Sequence, residues 1–374
     1  MDCYNLNVHI YHMAFTVERR LQEGWEVVEL QDDRSGSCVE IIPWAGAIIN
    51  SWKLGKGLQT LDIIDGYSGR RDFEANVHNG FKSAKLSPFV CRLKNGEYEW
   101  EGIIRSTGKF MLNKDALHGL LYDVPFTITK DWVNEEECGV EMKYDYKGDI
   151  KGFPFPYTCI VRYTLQAGNL LTISTVIKNP VDSTSSIPIT DGWHPYFSLG
   201  GKADDWWLKI ASDQMLEYDA SLIPTGKLIT NNDFQAGRLI GNTKLDNGFL
   251  LEPGASPFCI LKNPANNISI EFVSAVNYPY LQLYTPDHRK SIAIENLSSA
   301  PDAFNNGMGL LILQPGEEVC FEVGIRITDY GLRILRINQT KESVIRNPQF
   351  VILYTLTYFL FLSIQYPTIQ QTII

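Results

Sequence analysis

The 374-residue chain lacks every cysteine pattern that would mark a metal centre or a disulfide framework. Its seven cysteines (Cys3, Cys38, Cys91, Cys138, Cys159, Cys259 and Cys320) are odd in number and widely separated, with no CxxC pair and no histidine at ligand spacing. They read as reduced thiols, and no metal is expected. Positive charge is also short: 33 Lys and Arg stand against 43 Asp and Glu, for a formal net charge of -10. Such a field repels nucleic acid and anionic lipid, so neither is expected as a partner. The opening "MDCYNLNVHIYHMAFTVERRLQ" has neither the basic flank nor the continuous apolar run of a secretory signal, and a cytoplasmic location is expected. GxSxG and HExxH are absent, and the "SGR" and "NNG" turns lack the strand-to-helix setting of a phosphate loop. Nucleophilic-serine and zinc chemistry therefore have no support. No propeller-type repeat and no Ser/Gly linker is found, and helical periodicity is scarce.

Strand patterns fill the space that helices leave. "CVEIIPWAGAIINSWKL", "NLLTISTVIKN", "NISIEFVSAV", "YLQLYT" and "VCFEVGIRIT" are alternating or β-branched runs bounded by Gly, Pro, Asn and Asp. Turn signals recur between them in "KNGEY", "QAGNL", "KNPVDS", "LDNGF" and "LQPGEE". The expected fold is all-β, one large antiparallel β-sandwich over residues 15–328. Residues 1–14 read as a dispensable extension, with Met13 as an alternative start. Residues 329–374 read as a second extension whose segment 350–364 is strongly apolar. That segment is shorter than the roughly 20 residues a helix needs to span a bilayer, and its β-branched and aromatic content suits a strand or an aggregation-prone tail. No membrane partner is expected for the main domain, and the protein is expected to be a monomer or homodimer.

Among six histidines, His9 and His12 lie in the first extension, and His78 and His288 sit in polar turns where solvation is expected. His118 in "DALHGLLYD" and His194 in "DGWHPYFSLG" are surrounded by apolar and small residues, where each ring nitrogen must find a partner or be desolvated at a cost. Taken singly, each reads as a core histidine. Trp44, Trp52, Trp100, Trp206 and Trp207 read mainly as core, with "DDWW" at 204–207 as a possible rim. Trp193 and Tyr196 flank His194 and are expected to shape a cleft around it.

The order of the motifs changes the reading of the two histidines. "SPFVCRLKNGEYEWEG", "ALHGLLYDVPF", "DGWHPYFSLG", "YLQLYT", "IAIENLSSAPDAFNNG" and "LQPGEE" follow one another as in the aldose 1-epimerase (galactose mutarotase) family, and residues 15–328 resemble that family. The resemblance implies a β-supersandwich with an open sugar-binding cleft, interconversion of sugar anomers, and no cofactor. It implies Glu295 as general base and His194 as general acid, with Arg92, His118, Gln282 and Asp233 contacting the sugar. Departures from the family pattern are Cys91 for the Asn of "NRI", Trp193 and Ser198 for asparagines beside the second histidine, and Gln235 for the arginine of "DFR". Asp302 in "PDAFN" is read as a loop brace rather than one of a glycosidase's paired acids.

Carboxylate and imidazole suit mutarotation because one proton leaves the anomeric hydroxyl while another reaches the ring oxygen, and their ordinary pKa values, about 4.3 and 6.5, bracket the working range. Two alternatives stay open. One is a sugar-binding or sensing protein without turnover. The other is a mutarotase of phosphorylated or sulfonated sugars, which would need cations such as Arg70, Arg71, Lys82 or Lys85 around the cleft.

Overall fold

Alternation of side chains across the pleat builds this molecule. In the strand Tyr157–Gln166 every odd-numbered residue is buried and every even-numbered one is half-exposed, as a sheet with one covered face requires. The structure, a computed structural model, describes residues 14–55 and 60–329. The expectations for residues 1–13 and for the segment 350–364 lie outside the described residues.

Three large sheets carry the fold. Residues 15–62 form a five-stranded antiparallel meander in sequence order, from Phe15–Gln22 to Leu61–Asp62. A nine-stranded sheet runs from Thr127–Val133 through Glu137–Tyr146, Tyr157–Gln166 and Leu170–Lys178 to Glu318–Asp329, then back through Ile268–Val276, Cys259–Asn263, Trp207–Ile210 and Arg238–Leu239. The third sheet orders Pro224–Thr230, Gln214–Tyr218, Asp246–Leu250, Tyr280–Tyr284, Ile292–Leu297, Gly192–His194 and Ala84–Leu86, with Tyr196–Phe197 branching from Ile292–Leu297. One continuous apolar core joins all three, with Trp52 from the meander, Tyr163 and Phe272 from the nine-stranded sheet, and Leu281 and Ile294 from the third. Burial of these faces, worth roughly 25 cal/mol per Å² of apolar surface removed from water, holds the sheets together as the sandwich the sequence pattern predicts. The helices Arg70–Asn76 and Ala303–Asn306 are short insertions between strands.

Three local expectations are corrected. "LDNGF" is not a turn: Asp246–Leu250 is an interior strand, paired along its length with Tyr280–Tyr284. Trp193 does not shape a cleft, because alternation turns it to the opposite face from His194, where it packs on Tyr163 at 5.6 Å. Of the two tryptophans of "DDWW", Trp206 supplies no rim, being fully buried with its indole N–H donating to the Gly200 carbonyl at 2.9 Å, while Trp207 is half-exposed at the start of Trp207–Ile210.

Candidate active site

The outer face of the third sheet carries a row of polar residues in register. Gly248 lies opposite Gln282, and Gln282 lies opposite Glu295. Gly192 pairs with Leu297, and two residues further along each antiparallel strand His194 comes level with Glu295. Leu281, Leu283, Ile292 and Ile294 point the other way into the core, so alternation alone sends Gln282, Glu295 and His194 outward together. All three line one cavity of about 300 Å³, at the lower end of the range of small-ligand sites.

Loops complete the opposite wall. Arg92 opens the short strand Arg92–Leu93, which pairs with Asp115–Leu117 and so places Arg92 beside Leu117 and His118. The amide of His118 donates to the Cys91 carbonyl at 2.8 Å. Both Cys91 and His118 have positive φ, 47° and 61°, a conformation costly for residues other than Gly and most tolerated by Asn and Asp. The cysteine at position 91 therefore occupies a strained site. Asp302 braces this wall: its amide donates to the Arg92 carbonyl at 2.7 Å, and its Oδ1 accepts from the Lys94 amide at 2.9 Å and from Asn305 at 2.7 Å.

At the cavity floor His194 Nε2 stands 3.3 Å from Glu295 Oε1, with both side chains buried. The His194 ring stacks on Tyr196 at 5.1 Å and meets His118 edge-on at 5.0 Å; His118 in turn packs on Phe81 at 4.5 Å. Burial and the neighbouring Asp246 carboxylate push the Glu295 carboxyl well above the usual carboxylate range. Burial pulls His194 down to about 4. His118 is lowered by burial and then by the adjacent His194 and Arg92. Desolvation penalises both charged forms, so the pair holds one proton between an imidazole and a carboxyl. Glu295 Oε2 is buried and has no hydrogen-bond partner among the described residues, leaving one polar atom of the carboxyl for a bound molecule.

Arg92, His118, His194, Gln282 and Glu295 therefore meet in one cavity, and Asp233 does not. Asp233 sits in an exposed turn, its carboxylate 3.7 Å from Arg238. The carboxylate that lines the cavity is Asp246, whose Oδ1 accepts from Gln282 Nε2 at 2.9 Å. The sequence hides it, because Asn-Gly is the strongest short hairpin signal and "LDNGF" carries that pair inside a strand. His78 is a second surprise. It lies at the cavity mouth, stacked on Phe110 at 4.5 Å, rather than in a purely solvated turn. None of the four cations considered for an anionic substrate lines the cavity. Arg70 pairs with Glu74, Lys82 with Asp65, Lys85 is sealed against Asp191, and Arg71 is exposed.

A carboxyl and an imidazole opposed at the floor of a cavity, on one face of an antiparallel sandwich, form the arrangement of an acid–base enzyme. The comparisons with known proteins give the family. The family model described as Aldose 1-epimerase matches residues 26–326. Over 346 residues the chain is 31% identical to an aldose 1-epimerase of Streptococcus thermophilus, a match spanning 80% of this chain and 97% of that one. Its fold is similar to that of a galactose mutarotase-like protein from Clostridium acetobutylicum, with TM-score 0.75 at 18% identity, covering 85% of this chain and all of the other. It is also similar to that of a galactose 1-epimerase from Lactobacillus acidophilus NCFM, with TM-score 0.69 at 19% identity, covering 85% and 99%. The chain belongs to the aldose 1-epimerase family and is an isomerase acting on carbohydrates.

Proposed function

We propose that the protein interconverts the α and β anomers of a free aldohexose such as galactose or glucose, with Glu295 and His194 moving the protons. The observation that carries this reading is the 3.3 Å contact between His194 Nε2 and Glu295 Oε1 at the floor of a cavity whose wall bears Arg92, Gln282 and Asp246. The pair's one proton passes across that contact to the imidazole. Glu295, now a carboxylate, takes the proton of the anomeric hydroxyl while the imidazolium gives its proton to the ring oxygen. The C1–O5 bond breaks, the C1–O1 bond becomes the aldehyde carbonyl, and the C1–C2 bond rotates. Reclosure on the other face reverses both transfers, so the enzyme ends as it began. Arg92, Gln282, Asp246 and His118 hold the remaining hydroxyls. General acid–base assistance of this kind is worth about 10² to 10⁴-fold in rate.

Freshly dissolved α-D-galactose and α-D-glucose, followed by polarimetry or NMR, test the reading. The parent accelerates equilibration, and folded Glu295→Gln and His194→Asn variants lose about 10²-fold or more. Variants as fast as the parent refute the assignment. Binding of sugar without acceleration supports the non-catalytic alternative, and a preference for a sugar phosphate supports the other; the pairing or exposure of Arg70, Arg71, Lys82 and Lys85 outside the cavity weighs against the latter. Among the described residues no helix is long and apolar enough to cross a membrane. The free thiols of Cys38, Cys91, Cys138, Cys159, Cys259 and Cys320 support a reducing, cytoplasmic compartment.

A further inference from the structure

One cavity residue has no part in the proton transfers or in direct sugar binding as proposed above. Tyr218, at the end of the strand Gln214–Tyr218, lines the cavity and donates its hydroxyl to Gln282 Oε1 at 2.9 Å. Gln282 Nε2 in turn donates to Asp246 Oδ1 at 2.9 Å. The three residues sit on three adjacent strands, and the bond from the first to the third passes over Gly248 on the second. A Cβ at Gly248 would collide with the Tyr218 hydroxyl and with the Leu216 side chain and press on Gln282 Oε1. Gly248 has no need of glycine for its φ, since it is not among the glycines of positive φ. Its missing side chain is the passage for this hydrogen bond.

The polarity of the chain is fixed by chemistry. A glutamine amide has one end that only accepts and one that only donates. The Asp246 carboxylate only accepts, so it takes the amide N–H, and the amide oxygen is left to accept from the Tyr218 hydroxyl. The amide nitrogen then faces Asp246, leaving its second N–H and the other Asp246 oxygen for hydroxyl groups of a bound molecule.

We propose that Tyr218 is a positioning and specificity-determining residue of this site: by holding Gln282 across Gly248 it fixes the amide and Asp246 in the polarity that reads the sugar's hydroxyls. This inference rests on the reading of the cavity as a sugar site. Without the tyrosine hydroxyl the amide oxygen loses its donor, and the Gln282 side chain, held at its nitrogen end alone, is free to swing about that bond and lose its preset direction. Binding and hydroxyl discrimination suffer, and the acid–base pair does not.

The test uses the full chain and its Tyr218→Phe variant, with initial rates over a concentration series of α-D-galactose, α-D-glucose and their monodeoxy analogues. KM is expected to rise roughly tenfold, the size of one lost hydrogen bond to a buried polar group. Turnover at saturation stays within about twofold, and discrimination against at least one deoxy sugar shrinks. Gly248→Ala gives the same pattern, because its methyl displaces the hydroxyl. In a Gln282→Ala background Tyr218→Phe adds nothing further, whereas a tyrosine that merely packs would add its full cost. An unchanged KM with unchanged discrimination, a fall confined to turnover, or additivity with Gln282→Ala overturns the proposal. Calorimetric titration of galactose repeats the comparison without turnover. A parent that binds but does not accelerate overturns the acid–base reading alone, with equal or roughly tenfold weaker binding by Tyr218→Phe then overturning or supporting the proposal. A parent that neither binds nor accelerates any of these sugars overturns both.

Discussion

Asp191→Asn tests the packing that holds the strand bearing His194. Lys85 Nζ lies 2.6 Å from Asp191 Oδ2, with side-chain exposures of 1% and 0%. The ammonium also donates to the Gly192 carbonyl at 3.2 Å, and the Tyr278 hydroxyl donates to Asp191 Oδ2 at 2.7 Å. Lys85 stands opposite Trp193 in the pairing of Ala84–Leu86 with Gly192–His194, so the pair ties the strand bearing His194 to its neighbour. Asparagine keeps the size and an acceptor oxygen but leaves the ammonium buried without a counter-charge, which costs about 3–5 kcal/mol. Against a total stability on the order of 5–15 kcal/mol, that is a large fraction. With a urea m-value of about 3 kcal/mol/M for a sandwich of this size, the midpoint falls by about 1 M or more. Urea unfolding at pH 7, followed by tryptophan fluorescence and circular dichroism, measures it. Lys85→Met with Asp191→Leu removes both charges and recovers most of the loss. An Asp191→Asn cost below about 1 kcal/mol would refute the reasoning, because a sealed, charged pair broken on one side is never that cheap.

Other outcomes follow from the site. Under the proposed mechanism activity requires one proton on the Glu295–His194 pair, which titrates as a unit. The rate profile is therefore bell-shaped: its acid limb lies near pH 4, where His194 takes a second proton beside the protonated Glu295, and its alkaline limb lies well above the usual carboxylate range, where the pair loses its only proton. An acid limb near the ordinary histidine value of about 6.5 would contradict the burial of His194. Asp246→Ala lowers kcat/KM by roughly 10- to 100-fold through lost hydroxyl contacts, while Asp233→Ala, in its exposed turn, stays within about twofold; steady-state rates on galactose compare the two. Iodoacetamide at pH 8 labels exposed Cys320 ahead of Cys91, whose thiol is buried and raised by burial and then by Glu295 and Asp246. Peptide mass mapping against time reads this, and early Cys91 labelling with parallel loss of activity would contradict it.

Much of this was legible in the amino-acid order, for a physical reason. The period of two in runs such as "YTCIVRYTLQ" fixes a strand and its buried face before any partner is known. The same period in "YLQLY" and "IAIEN" commits Gln282 and Glu295 to the face opposite their leucines and isoleucines. The motifs "VCRL", "ALHGL", "DGWHPYF", "YLQLYT" and "IAIEN" likewise marked the five of six expected site residues that share the cavity.

Tertiary structure decided what depends on distance across the chain. Asp246 and Asp233 are both acids near turn-like residues, and only the pairing of Asp246–Leu250 with Tyr280–Tyr284 puts one of them in the cavity. Lys85 looked like a cation free to meet a substrate until a residue 106 positions away sealed it. Gly248 looked like half of a hairpin signal, and it is the gap over which Tyr218 reaches Gln282. Sequence by itself determined the strands and their inward faces, because those follow from local periodicity, and the order of its motifs implied the acid–base residues through their resemblance to a family. Which polar groups meet, and how burial shifts their protons, was decided by strand register and packing between segments far apart in sequence, to which a local pattern is blind.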